Sequence, residues 1–150
     1  MKIKFKIATP ERVVYEDEID QITLPTKVGE ITILPNHLPL VSSLMPGEIL
    51  IKKGNEEMPI AVSGGFVELH NNNLVILADT AERVEEIDIE RAEAGRRKAQ
   101  DTLEKKQDAD EVDFTALAAK MEKEMARLKV AKKYKKLRPS PQIKIEKDEE

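Results

Sequence analysis

Residues that could carry out catalysis are few in this chain, and none has the spacing of a known reaction centre. The only histidines, His37 and His70, lie in different segments, and there is no cysteine, so a specific metal site would need several converging carboxylates. Gly64 and Gly65 lack the glycine and lysine spacing of a phosphate-binding loop, and no helix pattern follows them at once. No serine stands in the glycine-flanked pattern of a hydrolase nucleophile. We therefore expect a chain that performs no chemistry itself and requires no cofactor.

The charge distribution of the chain supports binding to an acidic surface better than its residues support catalysis. The net charge of −4 is unevenly spread: residues 1–85 carry 8 basic and 13 acidic side chains, whereas residues 86–150 carry 17 and 16. A run without acids contains Lys129, Lys132, Lys133, Lys135, Lys136 and Arg138. The run either contacts an acidic partner or is a solvated helix end whose cations complement the helix dipole, and both interpretations stay open. Nucleic acid is not expected as a partner, because the overall pI is acidic.

The first half of the chain predicts a β-sandwich. Ile3, Phe5 and Ile7 alternate with lysines, which is the period of a half-buried strand. Similar short patterns occur at residues 13–16, 19–24, 30–34, 48–53, 59–63, 66–69 and 74–76, separated by turns rich in proline, glycine and asparagine. This spacing predicts eight to ten strands. The pair Gly64 and Gly65 predicts a bulge or a close approach of two backbones.

The second half predicts two helices joined by a loop at residues 107–112. Asp88 is a suitable N-cap for a helix from 89 to about 106, whose stripe of small residues contains Ala92, Gly95, Ala99 and Leu103. Asp113 is the expected cap of a helix from 114 to 136, with Val112 packed on Leu117. The apolar stripe expected for the second helix is Leu117, Ala118, Met121, Met125, Leu128 and Ala131. So narrow a seam predicts a hairpin that can detach.

Three segments resemble one known family. SGGFVEL at 63–69, LADTAERVEEID at 77–88 and IDIERA at 87–92 are similar to the epsilon subunit of bacterial F-type ATP synthase, and the likeness runs from residue 2 to about 137. The resemblance implies an N-terminal antiparallel β-sandwich at 1–86 and an antiparallel helical hairpin at 87–138. It also implies a non-catalytic rotor subunit whose sandwich binds the gamma subunit and the c ring, and whose hairpin inhibits ATP hydrolysis by the alpha/beta catalytic head.

The resemblance further implies contact and ligand residues. The segment GEITILPNHLPL at 29–40 places Glu30 and His37 toward the c ring, although Thr32 and Asn36 stand where many members have glycine. Some members bind one regulatory ATP, and the residues implied here are Glu82, Asp88, Arg91, Ala92, Lys98, Lys123 and Arg127. Lysine at 98 and 123 replaces the usual arginine and lacks its bidentate fork. The alternative, that Asp88 only caps a helix and Arg91 only forms a salt bridge, stays open. The inhibitory surface implied is Lys129, Lys132, Lys133 and Lys136.

The sequence also predicts the cellular location of the protein and the state of its C-terminal tail. The absence of cysteine and of an apolar N-terminal stretch favours the cytoplasm. The resemblance implies a peripheral protein on the cytoplasmic face of the cell membrane, held there only by partner subunits. A stand-alone cytosolic nucleotide sensor or coiled-coil adaptor of the same fold is the alternative function. Pro139 and Pro141 end the second helix, and the charged tail at 139–150 is expected to be disordered, with a short strand through Ile143 and Ile145 as the alternative.

Overall fold

A β-sandwich followed by two helices forms the architecture, as predicted. The computed structural model describes residues 1–105 and 114–134. The strands are β1 (Ile3–Ala8), β2 (Val13–Ile19), β3 (Gln21–Thr26), β4 (Gly29–Ile33), β5 (Leu40–Leu44), β6 (Gly47–Lys53), β7 (Glu56–Val62), β8 (Gly65–His70), β9 (Asn73–Ala78) and β10 (Ala81–Arg83). A 3-10 turn at Val84–Glu86 leads into α1 (Ile89–Lys105), and α2 is Phe114–Lys133. The predicted helix cap at Asp113, its neighbour Val112, the connecting loop and the tail lie outside the described residues.

The strands form two layers that share one connection. One layer has the order β10-β7-β6-β3, with β4 beside β3, and the other has the order β5-β8-β9-β1-β2. The layers join where Thr26 of β3 pairs with Leu44 of β5. The expected antiparallel pattern holds except between β1 and β9, which run parallel. β1 belongs to the β1–β2 hairpin, and β9 belongs to the β8–β9 hairpin. Because no short connection joins β1 to β9, these two strands are not forced to run antiparallel.

The sandwich has an aliphatic core of its own. Ile3, Phe5 and Ile7 are buried, whereas Lys2 and Lys4 are exposed, which confirms the alternation predicted for the first strand. The buried cluster runs from Ile3 to Ala81 and contains no residue of α1 or α2. The β-rich half therefore buries its apolar side chains without help from the helices.

Two strands were not predicted. β5 has the sequence LVSSL, in which Val41 is 76% exposed and two serines are half-buried, so its hydrophobic pattern is weak. β10 has three residues and is recognisable only by its pairing with β7, where Ala81 lies opposite Val62. Strands this short, or this exposed, carry too little periodicity to be predicted from the sequence.

Asparagines occupy left-handed backbone positions at the end of the sandwich that carries His37. Asn36, Asn71 and Asn72 have φ of 63°, 48° and 59°. The Asn36 backbone N–H donates to Asn72 Oδ1 at 2.6 Å, and Asn72 Nδ2 donates to Asn36 Oδ1 at 3.1 Å. This reciprocal pair ties the loop after β4 to the β8–β9 turn. Thr32, which stands where many members have glycine, lies within β4, where its hydroxyl is 2.9 Å from that of Thr23.

The buried side of α2 differs from the predicted stripe. Leu128 and Ala131 are buried as expected, but Ala118 and Met125 are exposed, and Glu124 is buried instead. The reason is that α2 packs against two neighbours, α1 on one side and strands β6 and β7 on the other. The apolar contact with the sandwich is small and consists of Ala61, Val84, Ile87, Val130 and Ala131, with Ile89 and Tyr134 beside it.

Gly65 offers a direct test of the close backbone approach. Gly65→Ala is expected to lower the free energy of unfolding by about 2–4 kcal/mol, because its φ of 142° is unfavourable for other residues and a Cβ would lie 2.2 Å from the Leu77 carbonyl oxygen. Gly54→Ala is the matched control, since Gly54 has a φ of 59° but no atom within 4 Å of the added Cβ. Its cost should be only about 1–2 kcal/mol. Equal losses in urea unfolding would contradict the proposed clash.

Candidate functional site

A cleft lies where β10 meets both helices. Its volume is about 500 Å³, and its walls combine cations, two glutamates and small residues. The lining residues are Glu82, Arg91, Ala94, Gly95, Lys98, Lys120, Lys123, Glu124 and Arg127. Small side chains on α1 leave the space open, because Ala94 and Gly95 occupy little volume between the charged residues.

Five of the seven residues implied for ATP meet in this cleft. They are Glu82, Arg91, Lys98, Lys123 and Arg127, contributed by three elements that are distant in the chain. The remaining two do not line it. Asp88 caps α1, since its Oδ1 accepts the Arg91 backbone N–H at 3.0 Å, and Ala92 is fully buried. For Asp88 the structure therefore shows the capping role that its sequence position predicts.

Arg127 is held by two carboxylates. Its Nε donates to Glu82 Oε2 at 2.6 Å, and its Nη1 donates to Glu124 Oε2 at 2.7 Å. The Arg127 and Glu124 side chains are only 12% and 8% exposed. Burial opposes the charge on Arg127, but the hydrogen bonds that it donates to Glu82 and Glu124 outweigh this effect, so the pKa of Arg127 is raised above its ordinary value. The guanidinium thus joins the sandwich to α2 and uses its Nε and Nη1 donors for the two glutamates.

Four further cations line the cleft without an acidic partner. Arg91, Lys98, Lys120 and Lys123 form no ion pair with the part of the chain that the structure describes. Their charge is not cancelled by Glu82 and Glu124, which both contact Arg127. A cleft of this composition can attract a compact anion that carries several negative charges, such as a polyphosphate.

Two charged residues of the cleft were missed by the sequence analysis. Lys120 lies one helical turn before Lys123, so its position on the same face could have been inferred from the helical period. Glu124 could not, because a buried acid among apolar positions has no sequence signal. Its placement depends on Gly95 of α1, where an added Cβ would come within 3.2 Å of the Glu124 carboxyl carbon. The neighbour of Gly95 is thus a side chain of α2 and not its backbone.

The residues implied for the c ring are both exposed but lie apart. Glu30 is near the start of β4, and His37 follows the end of that strand. The His37 Nδ1 is 2.8 Å from the Leu38 carbonyl oxygen. Leu38 itself is 79% exposed. Glu30 and His37 thus lie beyond or near opposite ends of one strand.

Two lysines of the implied inhibitory surface contact acids within the chain. Lys133 Nζ donates to Glu48 Oε2 at 3.0 Å, and Lys132 Nζ lies 3.7 Å from Glu93 Oε1. Lys129 is exposed at the side of a groove that also contains Met45 and Met125. Lys136 lies outside the described residues. The basic surface is therefore partly occupied when the helices lie against the sandwich.

Searches for metal ligands and membrane spans were negative over residues 1–105 and 114–134. No three histidine, aspartate or glutamate side chains of these ranges come together as metal ligands do. Neither α1 nor α2 combines the length and apolar content that crossing a bilayer requires.

Known proteins resemble both halves of the chain. The family model for the ATP synthase delta/epsilon chain beta-sandwich domain matches residues 2–84, and the model for its long alpha-helix domain matches residues 85–132. An ATP synthase epsilon chain of Chloroflexus aggregans is 46% identical over 135 residues, covering 90% of this chain and 96% of the relative. One from Desulforamulus reducens is 41% identical over 128 residues, covering 85% and 96%.

A solved structure shares the fold. A chain of the Euglena gracilis mitochondrial ATP synthase superimposes with a TM-score of 0.67 at 24% identity, covering 81% of this chain and 76% of that one. Because two family models together span most of the sequence and the bacterial relatives exceed 40% identity, the resemblance predicted from the sequence is confirmed. The chain belongs to the ATP synthase delta/epsilon chain family.

Proposed function

We propose that this chain is a central-stalk rotor subunit of an F-type ATP synthase and performs no catalysis itself. In this role the sandwich binds the gamma subunit and the c ring and couples ion-driven rotation to ATP synthesis. The family match over both halves and the names of the relatives, ATP synthase epsilon chains, support the assignment. They give no support to the alternative of a stand-alone cytosolic sensor or adaptor. The protein would then lie at the cytoplasmic face of the membrane through its partner subunits.

One surface observation carries the attachment proposal. Phe66 and Leu77, 65% and 60% exposed, lie directly opposite each other in the β8–β9 pair. Val41 of β5 and Val75 of β9, 76% and 37% exposed, lie on either side of Glu68, which is two residues after Phe66 on β8. Contiguous apolar side chains on the outer face of a sheet usually mark a protein contact. We assign this face to the gamma subunit and the His37 end of the sandwich to the c ring, with Glu30 as a second ring contact near the other end of β4.

The cleft supports a regulatory ATP site. The four cations that form no ion pair within residues 1–105 and 114–134 are on both helices, so a bound polyphosphate would connect α1 and α2; they are Arg91, Lys98, Lys120 and Lys123. Glu82 would remain with Arg127 as the link to the sandwich. A ligand that binds both helices in this position stabilises the folded hairpin by mass action. ATP would be a regulatory ligand here and not a required cofactor.

The hairpin supports a second regulatory role. Its apolar contact with the sandwich is small and made mostly of alanine and valine, so little apolar area holds it in place. We propose that the detached hairpin enters the alpha/beta catalytic head and inhibits ATP hydrolysis there. Lys129, Lys132, Lys133 and Lys136 would face acidic segments of the beta subunits.

Attachment can be tested with the isolated sandwich. A fragment of residues 1–86 is expected to fold and to bind the gamma subunit, because the main core contains no helix residue. Replacing Phe66 and Leu77 together with aspartate should weaken binding at least about tenfold, since charges would be buried at the contact. Leu38→Asp, an equally exposed change at the other end of this layer, should leave the affinity for gamma unchanged. A fragment that is unfolded, or a double variant that binds normally, would refute this division of the chain.

ATP binding can be measured by calorimetry on the isolated protein. Arg91→Ala should weaken it about tenfold, because a hydrogen bond to a charged group is worth roughly 1.5–3 kcal/mol. Lys98→Arg should hold or improve the affinity by supplying a bidentate fork. Arg97→Ala is the control, because Arg97 is exposed on α1 and does not line the cleft. If the unmodified protein gives no heat with millimolar ATP, Asp88 is only a helix cap and the ATP site does not exist.

Inhibition can be tested in the assembled enzyme. Changing Lys129, Lys132, Lys133 and Lys136 to alanine should raise ATP hydrolysis at least about threefold while synthesis and assembly stay nearly intact, since exposed ion pairs contribute roughly 0.2–1 kcal/mol each. The chain ending at residue 86 gives the rate without any hairpin and sets the upper limit. If the variant with all four lysines changed hydrolyses ATP at the normal rate, these lysines are only solvent-exposed charges and do not inhibit hydrolysis.

A further inference from the structure

The end of α2 is attached to the sandwich through one carboxylate. Glu48, near the start of β6, has a side chain only 16% exposed. Its Oε2 accepts from Lys133 Nζ at 3.0 Å, and its Oε1 accepts from the Tyr134 hydroxyl. The Lys133 Nζ also lies 5.1 Å from the centre of the Tyr134 ring. One acid of the sandwich thus holds two consecutive residues at the end of the hairpin.

The contact completes a single face of α2. One side of the helix carries Arg127 and the residues three, four and seven positions after it, which are Val130, Ala131 and Tyr134. Arg127 contacts Glu82 at one end of this face, and Tyr134 contacts Glu48 at the other. Between these ends Val130 and Ala131 bury apolar surface in the small cluster, and Ala126 is buried at the side, in the groove that also contains Met45. The polar contacts therefore hold the two ends of this face, and small apolar residues fill its middle.

Glu48 supplies the same chemistry as an acidic partner. Its hydrogen bond raises the pKa of Lys133 above the ordinary value, and burial followed by the hydrogen bond to Glu48 raises the pKa of Tyr134. The pair of Lys132 and Glu93 is longer, at 3.7 Å, and more exposed. Between the two lysines of the basic run that form ion pairs within the described residues, Lys133 therefore has the closer and less exposed acidic partner.

We propose that Glu48 is an internal competitor for the basic end of α2: while it holds Lys133 and Tyr134, the hairpin stays folded and that end is withheld from an acidic partner surface. The consequence for ATP hydrolysis rests on the inhibitory role proposed above. The contact itself does not, because it is a property of the isolated chain. A partner must therefore replace Glu48 at Lys133 before this part of the hairpin can bind elsewhere.

Glu48→Gln tests the competition with little change in shape. The amide retains an acceptor for the Tyr134 hydroxyl but loses the charge that pairs with Lys133, so the folded hairpin is weakened. Glu93→Gln is the matched control, because it removes an acid that pairs with a neighbouring lysine but does not belong to the sandwich. The detached population should rise about threefold or more in Glu48→Gln and stay unchanged in Glu93→Gln.

The readout uses two spin labels on the full chain. The sequence has no cysteine, so Met45→Cys and Met125→Cys provide the only attachment points. Both methionines line one groove between the β5–β6 turn and α2, and both are exposed. Pulsed electron resonance then measures a short distance for the folded hairpin and a long one for the detached hairpin. Tyr134→Phe, which removes the other donor, should raise the long-distance population in the same direction.

The outcomes separate the contact from its function. An unchanged distance distribution in both Glu48→Gln and Tyr134→Phe would overturn the proposal. If the detached population rises in the isolated chain and ATP hydrolysis by the assembled enzyme falls about two- to fivefold, the competition is confirmed in full. If the population rises but hydrolysis does not fall, the Glu48 contact stands and the inhibitory role of the hairpin is refuted.

Discussion

The arrangement of the two halves depends on one buried guanidinium. Arg127 lies between Glu82 of β10 and Glu124 of its own helix, and Glu124 in turn packs against Gly95 of α1. The loss of Glu82 would leave Arg127 paired with Glu124 alone, and the loss of Arg127 would leave two glutamates without their cation. The sandwich, α1 and α2 therefore meet at Arg127, and the cleft exists only while all three are in contact there.

Stability is divided unevenly between the two halves. The sandwich buries a continuous aliphatic core from Ile3 to Ala81, whereas the helices add a small cluster rich in alanine. Loss of the helical contact would leave the sandwich core intact. This difference permits a moving part on a fixed one, because a local opening needs far less free energy than global unfolding.

Cations on the helices serve folding and the proposed binding roles at once. Arg127 is neutralised by two glutamates, and Lys133 is paired with Glu48, so neither is freely available in the folded hairpin. Arg91, Lys98, Lys120 and Lys123 are not paired within the described residues, and they define where an anion would bind the folded state. Ligand and partner would therefore favour opposite positions of the hairpin, the cleft anion the folded one and an acidic surface the detached one.

The sequence by itself determined the division into a β-rich and a helical half, most strands and the helix boundaries within a residue or a few. These features follow from local periodicity, turn residues and caps such as Asp88, which act over a few neighbouring positions. Only the tertiary structure decided which side of α2 is buried, because the helix packs on both α1 and the sandwich. Arg127 and Tyr134 therefore lie on the side that faces the sandwich, although neither belongs to the predicted apolar stripe. The tertiary structure alone also decided β10, the buried Glu124 and the Glu48 contact with Lys133. Each depends on a residue far away in the chain, and long-range pairings of charged side chains leave no periodic signal in a sequence.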